Sequence, residues 1–319
     1  MTRRILITGA SGFVGRALAR HLVTHNAGEV VAMTRATTSH QVPGAHYVAV
    51  GDLGARTNWH AEMAGVDTLV HAAARVHVLN DDAAISALEF ERVNVLVTLD
   101  LARQAVAAGV RRFVFLSSIG VNGVQTDKSR PFTEVDRPWP HNAYARSKLK
   151  AEEVLRQLAT QTGLELVIIR PPLVYGPGVR ANFASLMHAV QRGWPLPLAR
   201  VNNLRSMVAM DNLVSFISTC IDHARAANET FLVSDGQDIS SPDLVRGLAQ
   251  AFGVPARLVP VPLSVLNFAG MILGRGDMLQ RVCGNLRVDI SKARRLLDWE
   301  PPLSMAEGLR RAVEGVRKP

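Results

Sequence analysis

Apolar positions along this chain follow two periods, and the two alternate. Continuous apolar runs over 5–8, 30–34, 45–50, 66–71, 112–117 and 164–170 read as strands buried on both faces. Between them lie stretches with apolar residues three and four apart, over 16–26, 82–108 and 142–162, which read as amphipathic helices. Strands alternating with helices predict an α/β protein built on a doubly wound parallel sheet. Ligands of such sheets lie beyond the carboxyl ends of the strands, here marked by Gly9, Thr34, Asp52, His71, Ser117 and Arg170.

After Arg170 the texture changes. Pro171, Pro172, Pro177, Pro195 and Pro197 interrupt the alternation, and shorter elements are expected over 211–225, 230–233, 241–252 and 304–316. The expected organisation is a doubly wound unit of Rossmann type over 1–177 and a smaller, irregular α/β lobe over 178–319. That lobe is free to return strands to the main sheet.

The first strand runs into Gly9-Ala10-Ser11-Gly12-Phe13-Val14-Gly15 and then into a helix. Such a turn offers free backbone N–H groups and the positive end of a helix dipole, which suits a diphosphate. Gly9 permits the sharp turn, Gly12 the close approach of a phosphate, and Gly15 tight helix–strand packing. Gly9, Ser11, Gly12, Phe13, Val14 and Gly15 are therefore candidate dinucleotide contacts. The end of the second strand carries Thr34-Arg35 where a carboxylate would grip the ribose of NAD. An arginine there pairs with a 2′-phosphate, so NADP(H) is favoured over NAD(H). Asp52 and Leu53 close the third strand and are candidates for the adenine.

Composition narrows the class. With 319 residues, 48% apolar and 20% charged, the chain is an ordinary globular protein with a sizeable core. A net charge of +9, scattered without a basic run, suits small anionic substrates. No nucleic-acid-binding module is present. Cys220 and Cys283 form neither a metal cluster nor a disulfide framework, so a reducing, cytoplasmic setting is expected. The first strand begins by Ile5, leaving no room for a signal peptide. The apolar stretch 263–273 is too short to span a bilayer; it reads as a core or interface helix, with a membrane-surface contact as the alternative.

Tyr144 and Lys148 lie four apart on one expected helix and share a face, and Ser118 follows the fifth strand near the ligand end of the sheet. A free phenol has a pKa of about 10, too high for a base near neutrality. An adjacent ammonium and a cationic nicotinamide both favour the phenolate. Ser118 is placed to hydrogen-bond and orient a substrate oxygen. Ser118, Tyr144 and Lys148 thus form a candidate proton-transfer set. His71 and His77 lack carboxylate or thiol partners, and no metal site is expected.

At these residues the chain resembles the extended short-chain dehydrogenase/reductase family, in its nucleotide-sugar epimerase, dehydratase and reductase branch. The resemblance rests on the glycine turn, on His71-Ala72-Ala73-Ala74, Leu116-Ser117-Ser118 and Tyr144-Ala145-Arg146-Ser147-Lys148, and on the segment Arg170-Pro171-Pro172 through Gly178. It implies that Ser118, Tyr144 and Lys148 are catalytic. It further implies that Ala72, Ala73, Ala74, Tyr144, Lys148 and Pro171 contact the cofactor, and that Asn182, Arg205 and Arg281 hold the nucleotide sugar. Val121-Asn122-Gly123 departs from the Val-Tyr-Gly of many sugar epimerases. No Glu follows an acidic residue after Ser118, which disfavours dehydration.

The implied activity is that of an NAD(P)-dependent 4-keto-reductase or 4-epimerase acting at C4 of a UDP-sugar of the N-acetylhexosamine type, in surface-polysaccharide synthesis. The alternatives are reduction of a non-nucleotide ketone such as a steroid or flavonoid, and a non-catalytic dinucleotide sensor. Relatives imply a homodimer pairing through the helices at 82–108 and 142–162.

Overall fold

The computed structural model describes residues 3–37, 41–51, 58–76, 83–272 and 276–317. Its strands are β1 (Arg4–Thr8), β2 (Glu29–Thr34), β3 (His46–Ala49), β4 (Thr68–His71), β5 (Arg112–Leu116), β6 (Glu165–Arg170), β7 (Leu173–Tyr175), β8 (Arg205–Ala209), β9 (Thr230–Leu232) and β10 (Asp238–Ile239). Its helices are α1 (Phe13–Thr24), α2 (His60–Met63), α3 (Ala83–Phe90), α4 (Val97–Ala107), α5 (Ala143–Thr162), α6 (Ala181–Gln191), α7 (Met210–Asp222), α8 (Ser241–Phe252), α9 (Leu263–Ile272), α10 (Gly276–Cys283), α11 (Ser291–Leu297) and α12 (Met305–Arg317).

Seven strands form one parallel sheet in the order β3-β2-β1-β4-β5-β6-β9. Its strands are apolar on both faces because helices cover both. Ile5, Ile7, Ala32, Val70 and Val114 pack with α1 and α7, while Leu6, Val31, Met33, Phe113 and Phe115 pack with α4 and α5. The smaller sheet, β10-β8-β7, is mixed: β7 and β8 are parallel, β8 and β10 antiparallel. A third apolar cluster, with Tyr175, Phe183, Met187, Leu248 and Leu309, fills the space around it. Strand β9 lies late in the chain yet pairs with β6, with Ile168 opposite Thr230.

The main elements form where periodicity places them, and the caps explain their limits. Helix α5 starts at Asn142, whose side chain accepts from the Ala145 N–H at 2.7 Å, and ends at Gly163 in the left-handed region. Helix α8 is capped by Ser240 and closed by left-handed Gly253.

Two expectations change. The helix expected over 82–108 is not uniform: a π-helical stretch, Glu91–Leu96, joins α3 to α4 and turns Asn94 inward, where it is buried. Of the readings open for 263–273, core, interface or membrane surface, the structure removes the first, since α9 is largely exposed. Of its described side chains only Leu266 is buried, while Phe268, Met271 and Ile272 are each more than 60% exposed. Among the described residues no helix is long and apolar enough to cross a membrane.

Candidate active site

The glycine turn sits at the carboxyl end of β1. Gly9 adopts φ +68°, and a Cβ there would lie 2.8 Å from the Ala73 backbone. A Cβ on Gly15 would lie 2.3 Å from the Gly9 carbonyl oxygen, so Gly15 packs on the turn itself, where the sequence suggested the strand. Gly12 is the N-cap of α1; no side chain caps that helix and no acid occupies its first turn. Its leading N–H groups are therefore left for an anion.

The turn opens into a cavity of about 750 Å³ lined by Gly9, Ser11, Gly12, Arg35, Ala72, Ala73 and Ala74, with Thr34, Arg75 and Arg92. That volume is within the range of cofactor sites. Each added Cβ on the glycine rim meets backbone, so the surface that a diphosphate would approach depends on these three residues being glycine. Phe13 and Val14 form the first turn of α1. Arg35 is exposed at the rim. Asp52, Leu53 and His77 fall outside the described residues.

Beneath the cavity, Thr8 Oγ1 and His71 Nδ1 are 2.7 Å apart, and His71 Nε2 lies 3.0 Å from Thr98 Oγ1. Full burial lowers the imidazole pKa to about 3, with the Lys148 charge acting in the same direction. His71 is thus a neutral core histidine that holds β4 to β1 and α4. The Thr8 hydroxyl also accepts from the Ala73 N–H, tying the alanine turn to the same knot.

Ser118, in the loop after β5, and Tyr144 and Lys148, on α5, lie outside that cavity's lining. Ser118 caps a short 3₁₀ turn, Ile119–Val121, its Oγ accepting from the Gly120 N–H at 3.1 Å. A Cβ on Gly120 would lie 3.4 Å from both Ser118 Oγ and the Ala145 methyl, which brings Ser118 against the first turn of α5. The Pro171 carbonyl accepts from the Ile119 N–H at 3.0 Å, so the Arg-Pro-Pro segment closes the same corner. Tyr144 meets Phe90 edge-on.

The electrostatics differ from the sequence expectation. Lys148 Nζ donates to the Leu116 carbonyl at 2.8 Å and lies 4.5 Å from the centre of the Phe115 ring. Burial lowers its pKa to about 7, against the opposing pull of Glu152. The Tyr144 phenol is pushed up to about 12 by burial, not down by a neighbouring cation. The chain alone therefore keeps Tyr144 protonated, as a proton donor needs.

Residues that sequence reasoning passed over hold this arrangement. Buried Glu152 accepts from Ser117 Oγ at 2.5 Å, from Arg170 Nε at 2.9 Å and from Arg170 Nη2 at 2.5 Å. Arg170 Nη1 donates to Asn122 Oδ1 at 2.9 Å. One network thus joins β5, α5, β6 and the loop after Ser118. Tyr144, Lys148 and Glu152 recur every four residues, so the stripe was visible in the sequence. Asn94 is the second such residue. It bonds both backbone groups at Arg75, and its Nδ2 donates to Ser147 Oγ, which in turn donates to the Tyr144 carbonyl. The cavity rim and the helix bearing Tyr144 are joined through this one amide.

The smaller lobe brings Arg205 and Arg281 together. Arg205, at the start of β8, is mostly buried and donates to the Gly284 carbonyl at 3.0 Å. Burial lowers its pKa, and the Arg281 charge pushes the same way. Two like charges that act on each other, one mostly buried and one exposed, suit a diphosphate. Gln280, beside Arg281, donates to Gln125 in the loop after Ser118, which links this rim to the reactive corner. Asn182 is exposed in the first turn of α6.

Comparison with known proteins agrees with this geometry. The NAD dependent epimerase/dehydratase family matches residues 5–234, and the chain belongs to that family. A UDP-glucose 4-epimerase of Vibrio cholerae is 42% identical, the match covering 98% of this chain and 95% of that protein. The N-acetyl-alpha-D-glucosaminyl-diphospho-ditrans,octacis-undecaprenol 4-epimerase of Escherichia coli O157:H7 is 28% identical over 98% of this chain and 95% of its own. Among solved structures, the dTDP-glucose 4,6-dehydratase DesIV of Streptomyces venezuelae, with NAD bound, superposes with a TM-score of 0.78. It is 27% identical, with 99% of this chain and 97% of that one covered. The chain is an enzyme of this family and takes a nicotinamide dinucleotide.

Proposed function

We propose that this chain acts at C4 of a UDP-linked sugar of the N-acetylhexosamine type, as a 4-epimerase. The observation that carries the reading is Ser118 set against the first turn of the helix that bears Tyr144 and Lys148, with the rim holding Arg205 and Arg281 tied to the loop after Ser118 through Gln280 and Gln125. The glycine turn, Ala72–Ala74 and Pro171 would hold the dinucleotide, which would supply hydride transfer at C4. Arg205 and Arg281 grip the diphosphate and fix the sugar. Ser118 Oγ hydrogen-bonds the C4 oxygen, and Tyr144 passes a proton to and from it. Burial keeps Tyr144 protonated in the chain alone, so the cationic ring of the oxidised cofactor is what eases proton removal. Asn182, exposed at the start of α6, is assigned to the nucleotide sugar by the family resemblance.

Arg35 supports a second reading. Exposed at the rim beside Thr34, it suits a 2′-phosphate, and an NADPH-fed enzyme is a 4-keto-reductase. One experiment separates the two. Purified protein is incubated with UDP-N-acetylglucosamine without added cofactor, and the sugar is followed by proton NMR. Appearance of the galacto epimer supports the epimerase. Turnover of a 4-keto UDP-sugar only when NADPH is supplied, weakened by Arg35→Ala, supports the reductase. Failure of UDP to raise the melting temperature removes both.

A second copy is assigned to the face built by α3, α4 and α5, where Leu88 is 72% exposed and Leu96 49%. Leu88→Arg with Leu96→Arg converts a dimer to a monomer in analytical ultracentrifugation if this is the pairing face.

A further inference from the structure

Helix α9 is apolar where it meets water. At the helical rotation of about 100° per residue, Met271, Phe268, Ile272 and Val265 fall within an arc of about 120°. Leu266, its one described buried side chain, points the opposite way into the smaller lobe's core. On the outer arc Val265 is 53% exposed, Phe268 61%, Met271 70% and Ile272 66%. Packing alone does not require this, since Leu266 already anchors the helix. A face of four large apolar side chains in water marks a docking surface.

The surroundings of the helix say what docks. Segments 194–200 and 257–261 lead to its base: the Leu196 N–H donates to the Arg257 carbonyl, the Val259 N–H to the Leu196 carbonyl, and Leu198, Leu258, Val261 and Leu266 share one cluster. This neighbourhood exposes Arg192, Arg200 and Arg257, and Trp194 is 56% exposed with the Arg192 guanidinium 5.7 Å from its ring. Neither 181–210 nor 244–276 contains a single Asp or Glu. The segments on which the helix rests thus expose cationic and interfacial aromatic side chains and carry no carboxylate of their own, in a chain whose net charge is +9. A protein partner's apolar groove would account for the arc but not for the exposed arginines on the segments beneath the helix, which carry no carboxylate.

We infer that α9 lies flat on the surface of an anionic lipid bilayer, its Val265–Phe268–Ile272 arc among the acyl chains and the arginines of its neighbourhood at the headgroups. Length agrees with this orientation. Ten residues make a helix about 15 Å long, about half of what spans a bilayer core. Such surface helices bind by apolar burial together with attraction to anionic headgroups. The inference stands apart from the sugar chemistry, since α9 holds none of the residues assigned to the site.

Flotation with vesicles tests it. The full-length protein is mixed with vesicles of phosphatidylcholine alone, or of phosphatidylcholine and phosphatidylglycerol in equal parts, and floated through a density step. The expected result is capture by the anionic vesicles, loss of capture at high salt, and capture weaker by roughly tenfold or more in the double variant Phe268→Glu, Met271→Glu. Both substitutions are at exposed positions, and melting temperature and UDP-sugar turnover are expected to stay at wild-type values. Wild-type protein that stays at the bottom with both vesicles overturns the inference, as does equal flotation of the variant. Self-association that the variant abolishes, without vesicle capture, overturns it in favour of a second copy of the chain.

Discussion

Glu152 and Arg170 form an ion pair from which water is almost wholly excluded, their side chains 0% and 3% exposed. Both carboxylate oxygens and two guanidinium nitrogens take part. The pair spans α5 and β6, and its outer bonds reach Ser117 and Asn122 on either side of Ser118. It fixes where the Tyr144–Lys148 stripe sits relative to the serine.

Removing one partner leaves the other charge buried. Glu152→Leu is expected to cost about 3–5 kcal/mol in urea denaturation, as broken buried pairs do. The double variant Glu152→Leu, Arg170→Met should recover most of that stability while turnover stays low, because Ser118 and α5 have lost their common anchor. Full activity in the double variant would limit the pair to a structural role.

Tyr144→Phe removes the proton donor and little else. Turnover should fall by a factor of about 10² to 10⁴, with dinucleotide affinity within a few-fold of wild type. Fluorescence titration of the reduced cofactor measures the second quantity. Unchanged turnover would sink the assignment of Tyr144.

Arg205→Ala and Arg281→Ala act on substrate binding. A charged hydrogen bond to a diphosphate is worth about 1.5–3 kcal/mol, so each variant should raise the Kd of UDP by roughly one to two orders of magnitude. Calorimetry with UDP, which lacks the sugar, isolates this contribution. Loss confined to Arg205 would place Arg281 outside the grip.

His71 gives the chain an acid sensitivity of known direction. Its folded-state pKa of about 3 lies below the unfolded value of 6.5. The stability it contributes is complete above pH 6.5 and is lost as pH falls toward 3, because the unfolded chain binds a proton that the folded chain refuses. The slope in that window approaches about 1.4 kcal/mol per pH unit. His71→Gln should flatten the acid limb of a melting-temperature profile, on a neutral plateau lowered by the disturbed hydrogen bonds to Thr8 and Thr98.

The sheet and its helices were legible because strands buried on both faces and helices with one apolar stripe leave different periods. The chemistry was legible where spacing encodes it: the glycine turn, and Tyr144 four residues from Lys148. Glu152 continued that stripe, but a charged residue on a helix is ordinarily solvent-facing; only the position of Arg170 shows why it is buried. The π-helical stretch at Glu91–Leu96 has no period of its own, so nothing in the pattern marks Asn94 as buried. The first helix was expected from Arg16 but begins at Phe13, so Gly15 lies inside its first turn, and what it touches depends on how tightly the turn folds back. Helix α9 stayed open between core, interface and membrane surface for a simpler reason. Hydrophobicity states that a segment avoids water, not what it meets instead.

The late strand β9 has a consequence for how the molecule is made. Translation delivers β6 some sixty residues before the strand that shields its outer side. During that interval the nascent chain carries an unpaired row of amides and carbonyls along Glu165–Arg170, flanked by valine and isoleucine, which is the kind of template on which chains aggregate. A polypeptide ended between 171 and 229 would keep that hazard for good. The first half can acquire every residue of its cofactor cradle and still have to await the second before it is safe in a crowded cell.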